Sequence, residues 1–151
     1  MIAQAVLEKF NLDKVIFVPS CLPPHKSGRN LIDARYRLRM TRLAVRDNSH
    51  FEVSRFEIAK GGKSYSVDTV RHFRRRYPDA KLFFIIGSDH IVKLHTWRNI
   101  REVVKMVSFV AVYRPGFKTI RSKIRVKSMI IPGVHTSSSD IRRRLVAGKT
   151  V

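Results

Sequence analysis

Hydroxyl and guanidinium groups meet near the end of the chain, where a helix is predicted to begin. Three consecutive serines, Ser137–Ser139, precede Asp140, and Arg142 follows within one helical turn. The amino end of a helix presents unpaired backbone N–H groups and the positive end of its dipole, so these side chains would add donors for a phosphate. The alternative is a well-capped helix, because Ser137 and Asp140 have capping-box spacing and Gly148 suits the helix end.

Three other polar or glycine-bearing segments follow apolar runs that are typical of buried strands. In an open parallel sheet, ligands bind beyond the carboxyl ends of the strands, so chain direction would bring all these segments to one edge. The segments are Pro23-Pro24-His25-Lys26, Gly87-Ser88-Asp89-His90 and Arg114-Pro115-Gly116.

Individual residues in these segments have both a ligand-binding and a purely structural interpretation. Gly87 would let a ligand approach the backbone, and Asp89 would accept hydrogen bonds from ribose hydroxyls or would only cap a helix. Trp97, the single tryptophan, is either a stacking platform for a ring or part of the core. The histidines lack a cysteine partner, a carboxylate cluster and a metalloprotease pattern, so no protein-held metal is expected.

Strand patterns alternate with helix patterns along the chain, which predicts a mainly parallel α/β sheet. The predicted strands are 15–18, 51–58, 82–86, 107–112 and 129–131, and the predicted helices begin near 2, 34, 66, 97 and 138. In the second helix, Tyr36, Met40, Leu43 and Ala44 are expected to form the core stripe. The arginine row on another face of that helix is interpreted as solvated, with direct binding as the alternative. This row comprises Arg35, Arg39, Arg42 and Arg46.

Composition limits the classes of partner. The 151 residues suit one domain, and 31 Lys and Arg against 11 acidic residues give a net charge of +20. This excess of positive charge favours anionic partners. The alternative is that the proteins of the source organism are generally basic and that the charges only face solvent. One cysteine, Cys21, excludes an internal disulfide and fits a reducing, cytoplasmic compartment. No signal peptide or membrane span is visible, so no membrane partner is expected.

Together the segments resemble bacterial nicotinate-nucleotide adenylyltransferases of the nucleotidyltransferase superfamily. The resemblance runs from end to end and depends on the combination and order of its motifs. The serine-helix motif is shared with siblings such as pantetheine-phosphate adenylyltransferase, whereas the Ser-Tyr-Ser-Val-Asp-Thr segment and Trp97 favour the nicotinate branch. The further motifs are Leu12 to Pro19, the Pro-Pro-His-Lys loop, Ser64 to Thr69, Ile86 to Asp89, Arg114 to Gly116 and Ser137 to Arg142.

The resemblance implies a Rossmann-like fold with helices on both faces, and transfer of AMP from ATP to nicotinate mononucleotide. The products would be deamido-NAD and pyrophosphate, and Mg²⁺ would arrive with ATP. By this resemblance, Gly87 and Asp89 would bind adenosine, and Ser138, Ser139 and Arg142 would bind the ATP phosphates. His25 and Lys26 would belong to a loop that closes over the phosphates. The residues that would bind nicotinate mononucleotide are Tyr65, Ser66, Thr69 and Trp97.

Two family features do not occur in this sequence. The family begins with a strand that ends in a His-x-Gly-His motif, and Met1 corresponds to the helix directly after it. The family's last segment, beyond Val151, is also absent. We therefore expect residues 1–151 to form a single nucleotidyltransferase domain that is incomplete at both ends and lacks its central strand. No catalytic residue is assigned, and we expect this chain to be a truncated or mis-started form with reduced or no activity.

Two other functions remain open from the sequence. One is a related adenylyltransferase such as the pantetheine-phosphate enzyme. The other is a non-catalytic basic module that binds nucleotides or nucleic acid. Nucleic acid is not the expected partner, because few aromatic residues interleave with the basic ones to form a stacking platform.

Overall fold

The computed structural model describes residues 2–24, 31–113, 122–131 and 138–150. Within these ranges the chain alternates between helices and short strands. The strands are β1 Val15–Phe17, β2 Phe51–Val53, β3 Phe83–Gly87, β4 Ser108–Tyr113 and β5 Val126–Ile130. The helices are α1 Ile2–Lys9, α2 Ala34–Val45, α3 Phe56–Lys60, α4 Ser66–Arg76, α5 Ile100–Met106 and α6 Ser138–Val146. Two short 3₁₀ turns, Ser88–His90 and Leu94–Thr96, lie between β3 and α5.

The strands form two parallel sheets. One sheet pairs β1 with β2, and the other has the order β3-β4-β5. Among the described residues no backbone ladder joins the two sheets, so β1, β2, β3 and β5 each have one edge without a strand partner there. The expected parallel α/β architecture is confirmed.

The three-stranded sheet carries a hydrophobic core on each face, because β4 is apolar at every position after Ser108. Phe109, Ala111 and Tyr113 face a cluster that includes buried residues of α4 and α5. Val110 and Val112 face a second cluster that includes Val6 of α1. Alternate residues of a strand point to opposite faces, so this double burial explains the unbroken apolar run. The expected helices on both faces are confirmed.

Helix α2 begins where the sequence predicts but presents a different face to the protein. Asp33 caps it, accepting from the Arg35 backbone N–H at 2.7 Å. The predicted core stripe was wrong, because Tyr36, Met40 and Leu43 are all more than half exposed. Val45 is buried instead, and Arg37 points inward to bind backbone carbonyls. Both stripes have helical spacing, so periodicity could not decide which one faces the interior.

The strand predicted over 51–58 was also too long. Strand β2 ends at Val53, and α3 starts at Phe56. The Ser54 hydroxyl accepts the Phe56 backbone N–H at 3.2 Å, which favours a turn into helix. Helix α3 ends at Gly61, whose φ of 74° is a left-handed conformation that glycine adopts readily.

Within the described part of the chain, no helix combines the length and the apolar character needed to span a membrane.

Candidate nucleotide site

The carboxyl ends of the three longer strands lie level with one another. Gly87 of β3 pairs with Val112, and Tyr113 of β4 pairs with Ile130 of β5. Since the strands are parallel, the segments that follow them leave the sheet at one edge, here called the carboxyl rim. The 3₁₀ turn with Asp89 therefore begins at this rim. Arg114-Pro115-Gly116, Thr136 and Ser137 lie outside the described residues.

The Gly87 backbone and the Asp89 side chain lie close together at the carboxyl rim. A Cβ atom at Gly87 would clash with the Asp89 Oδ1 atom. The Gly87 backbone has φ −71° and ψ 153°, which any residue can adopt, so a larger residue here would displace only the flexible Asp89 side chain.

The Asp89 carboxylate is open to solvent. Its side chain is 81% exposed and lies 3.7 Å from His90 Nε2. No helix-capping hydrogen bond from this carboxylate occurs among the described residues. The carboxylate thus keeps acceptor capacity for an external hydroxyl donor.

Trp97 joins the rim to the core through an aromatic cluster. Its ring meets Phe84 edge-on at 5.6 Å and Phe109 at 6.1 Å between centroids. His90 lies 6.4 Å away in a similar edge-on arrangement. Phe109 is buried, whereas Trp97 is only partly buried. Trp97 therefore packs on the core while part of it remains at the surface, and its role as a stacking platform stays a prediction.

The start of α4 supplies backbone donors near this aromatic cluster. Helix α4 begins at Ser66, and the Asp68 and Thr69 N–H groups donate back to the Tyr65 carbonyl. Among the described residues, the Ser66 and Val67 N–H groups make no such bond, as is usual in a first helical turn. The Arg98 guanidinium lies 4.6 Å from the centroid of the Tyr65 ring, which connects this segment to the residue after Trp97.

Two polar contacts hold α4 in position. The buried Thr69 hydroxyl donates to Glu57 of α3. Arg71 donates to both carboxylate oxygens of Glu102 in α5, at 2.6 and 2.5 Å. This hydrogen-bonded pair lowers the pKa of Glu102 below its usual range. The first contact holds α4 against α3, and the second holds it against α5, which directly follows the segment that carries Trp97.

The Pro-Pro-His-Lys loop is anchored by a residue that sequence reasoning missed. His25 and Lys26 lie outside the described residues, but the chain on either side of them is bound by Arg37. The Arg37 guanidinium donates to the carbonyls of Ser20 at 2.5 Å, Cys21 at 2.7 Å and Ile32 at 2.9 Å. In the sequence Arg37 was one of several arginines in a helix, and no pattern marked it as inward-facing.

Replacing Arg37 with alanine is expected to lower the free energy of unfolding by about 2 kcal/mol, because three backbone carbonyls, two of them in partly buried contacts, lose a charged donor. Urea unfolding followed by circular dichroism measures this change. Arg39→Ala is the matched control, since Arg39 is exposed on the same helix, and it should change stability by about 0.5 kcal/mol or less. Equal effects of the two substitutions would contradict the anchoring role of Arg37.

Helix α6 begins at Ser138, as the serine-helix pattern predicts. Ser138 and Ser139 lie in its first turn, and Arg142 follows one turn later. Arg143 is paired with Asp140, and Gly148 ends the helix with φ 66° while its N–H donates to the Leu145 carbonyl. The expected glycine stop is confirmed. The helix follows β5 in the chain, and residues 132–137 between them lie outside the described residues.

Comparison with known proteins defines the class first. The family model described as cytidylyltransferase-like matches residues 1–144. Among solved structures, a Plasmodium falciparum nicotinic acid mononucleotide adenylyltransferase complexed with NaAD superposes with a TM-score of 0.70 at 20% identity, over 94% of this chain and 76% of that one. The same enzyme complexed with APC superposes with a TM-score of 0.71 at 18% identity, over 98% of this chain and 78% of that one. These matches show the nucleotidyltransferase fold.

Sequence relatives then define the family. A protein of Moorella thermoacetica named "Probable nicotinate-nucleotide adenylyltransferase" is 41% identical over 161 residues, covering 99% of this chain and 74% of that protein. A protein of the same name from Exiguobacterium sibiricum is 41% identical over 152 residues, covering 100% and 80%. The chain belongs to the nicotinate-nucleotide adenylyltransferase family.

Proposed function

We propose that this protein transfers AMP from ATP to nicotinate mononucleotide, releasing pyrophosphate and forming deamido-NAD in the cytoplasm. The observation that carries the proposal is the carboxyl rim, where Gly87 ends β3 and Asp89 follows it directly, with Trp97 packed on Phe84 of the same strand. The names of relatives with about 40% identity over the whole chain support the same substrate pair.

The two substrates have separate sets of proposed binding residues. Asp89 accepts from the ribose of ATP beside the small Gly87, while Ser138, Ser139 and Arg142 bind the phosphates together with His25 and Lys26. Trp97 stacks on the nicotinate ring. The unpaired N–H groups of Ser66 and the residues after Trp97 bind its carboxylate, and Tyr65 and Thr69 shape that pocket. Such positioning and charge neutralisation are the main requirements of phosphoryl-type transfer.

Magnesium is proposed to enter with ATP. Within the described ranges there is no group of three or more His, Cys, Asp or Glu side chains that could hold a metal ion. The residues present therefore fit a metal carried on the nucleotide phosphates rather than a cage built by the protein. Bound in this way, the ion would neutralise phosphate charge during transfer.

The active domain is proposed to contain one further strand between β1 and β3. This proposal is supported by the division of the described strands into two separate parallel sheets, since a strand joining them would pair backbone groups that are otherwise left at sheet edges. The DNA immediately upstream of the Met1 codon tests it. A stop codon in frame directly before Met1, with no strand and His-x-Gly-His motif encoded, would contradict it.

Arg142→Ala is expected to raise the dissociation constant for ATP about tenfold, because a charge-assisted contact to phosphate is lost. Isothermal titration of ATP into the purified protein measures this constant. Arg144→Ala is the matched control from the same helix, where Arg144 donates to the Thr150 carbonyl, and it should change the constant by about twofold or less.

The choice of substrate is tested separately. Pyrophosphate release from ATP should require nicotinate mononucleotide and should not occur with phosphopantetheine, measured on protein expressed with its natural upstream codons. Release with phosphopantetheine alone would assign the sibling activity. Strongly salt-dependent binding of nucleic acid without nucleotide preference would favour a basic binding module instead.

A further inference from the structure

A cavity lies away from the proposed nucleotide residues, on the two-stranded sheet. Its volume is about 290 Å³, it is open to solvent, and it is bordered by β1, β2, the segment after β2, α2 and the end of α4. Three arginines from three different elements line it: Arg42 of α2, Arg55 after β2 and Arg76 of α4. None of the residues assigned to ATP or nicotinate mononucleotide contributes to this arginine cavity.

The positive charge of the arginine cavity is not neutralised by the described residues. Arg42, Arg55 and Arg76 form no ion pair within that part of the chain. The cavity contains one carboxylate, Glu52, which is bound by Lys14 at 2.6 Å. Three like charges that converge without a counter-charge repel one another, so an anion placed between them would be stabilised.

Neutral groups in the cavity are suited to an oxyanion. The Ser54 hydroxyl accepts the Phe56 N–H and, among the described residues, its own proton has no acceptor, so it can donate to a ligand. The Tyr77 ring supports the Arg76 guanidinium at 5.6 Å from its centroid. Stacking on an aromatic ring leaves the guanidinium N–H groups available for hydrogen bonds.

A neighbouring histidine is affected by the same charges. His72 is stacked on Phe56 with 4.0 Å between ring centroids. Its pKa is lowered chiefly by burial and further by the positive charges of Arg76 and Arg75. This shift agrees with a positive potential on this side of α4.

The size of the cavity indicates the class of ligand. Small-molecule sites commonly have volumes of about 300–1,000 Å³, so this cavity lies at the small end of that range. Guanidinium groups match phosphate oxygens in geometry as well as charge. We propose that the arginine cavity is a binding site for a small phosphate-class anion, such as inorganic phosphate or pyrophosphate, separate from the nucleotide site.

Nuclear magnetic resonance can locate such an anion, since the chain is only 17.5 kDa. Titration with pyrophosphate should shift the side-chain Nε–Hε signals of Arg42, Arg55 and Arg76, assigned by single substitutions. The double variant R42Q/R76Q should raise the dissociation constant obtained from the remaining Arg55 signal about tenfold or more. The control R39Q/R75Q removes the same charge from two residues of the same helices that do not line the cavity, and it should leave that constant within about twofold.

The outcomes separate this site from the proposed catalytic one. Shifts confined to residues of the carboxyl rim, or equal weakening in both double variants, would overturn the proposal. Parallel titrations with inorganic phosphate and AMP distinguish a free anion from a nucleotide phosphate as the source. Because the signals come from the arginine cavity, they are informative even if the protein fails to make deamido-NAD.

Discussion

Trp97→Ala is expected to weaken nicotinate mononucleotide binding about 10- to 100-fold, because the ring loses its stacking partner. The same substitution should lower the free energy of unfolding by about 2–3 kcal/mol, since Trp97 is partly buried against Phe84 and Phe109. Isothermal titration gives the first quantity, and urea unfolding gives the second. Trp97→Phe should retain most of the affinity for nicotinate mononucleotide and most of the stability, because an aromatic ring remains.

A control is needed to separate stacking from support of the fold. Phe109→Leu damages the same cluster from its buried side, where Phe109 is 1% exposed. It should lower stability but leave nicotinate mononucleotide binding within about twofold. If Trp97→Ala lowered stability while binding stayed as in the parent protein, Trp97 would be a core residue only.

Gly87→Ala is expected to weaken ATP binding about 10- to 100-fold, because the new Cβ would displace the Asp89 carboxylate from its position. Stability should change by about 0.5 kcal/mol or less, since the Gly87 backbone conformation suits alanine and the Asp89 side chain is exposed. Asp89→Ala should weaken ATP binding to a similar extent. Isothermal titration of ATP provides the comparison.

The double variant G87A/D89A tests whether Gly87→Ala weakens ATP binding by displacing the Asp89 carboxylate. If the clash acts through the carboxylate, the double variant should bind ATP no more weakly than D89A alone, which is strongly non-additive behaviour. Additive losses would show that Gly87 acts by direct approach of the ligand instead. Normal ATP binding by D89A would contradict the proposed ribose contact.

Several parts of the fold could be predicted because their signals are local. The cap at Asp33 and the stop at Gly148 are short-range patterns of side chain and backbone. The apolar run of β4 predicted a strand buried on both faces, and parallel order followed from the alternation of strands and helices. These features need only neighbouring residues to be recognised.

The candidate site was predictable where a motif directly follows a strand. Gly87, Asp89 and the serines of α6 were assigned to the edge where strands end, and the register of β3, β4 and β5 brings those ends level. Their contacts with ATP remain predictions. The partial burial of Trp97 was not predictable, since a single tryptophan pattern suits both a core and a platform.

The amino-acid sequence by itself determined the alternation of strands and helices, the cap at Asp33, the family and the excess of positive charge, because these depend on local pattern and composition. Only the tertiary structure decided which face of α2 turns inward, where Arg37 replaces the predicted apolar stripe. It also decided that Arg42, Arg55 and Arg76 converge on one cavity. The physical reason is that long-range packing, and not helical period, sets the rotation of a helix and brings together side chains that are distant in the chain.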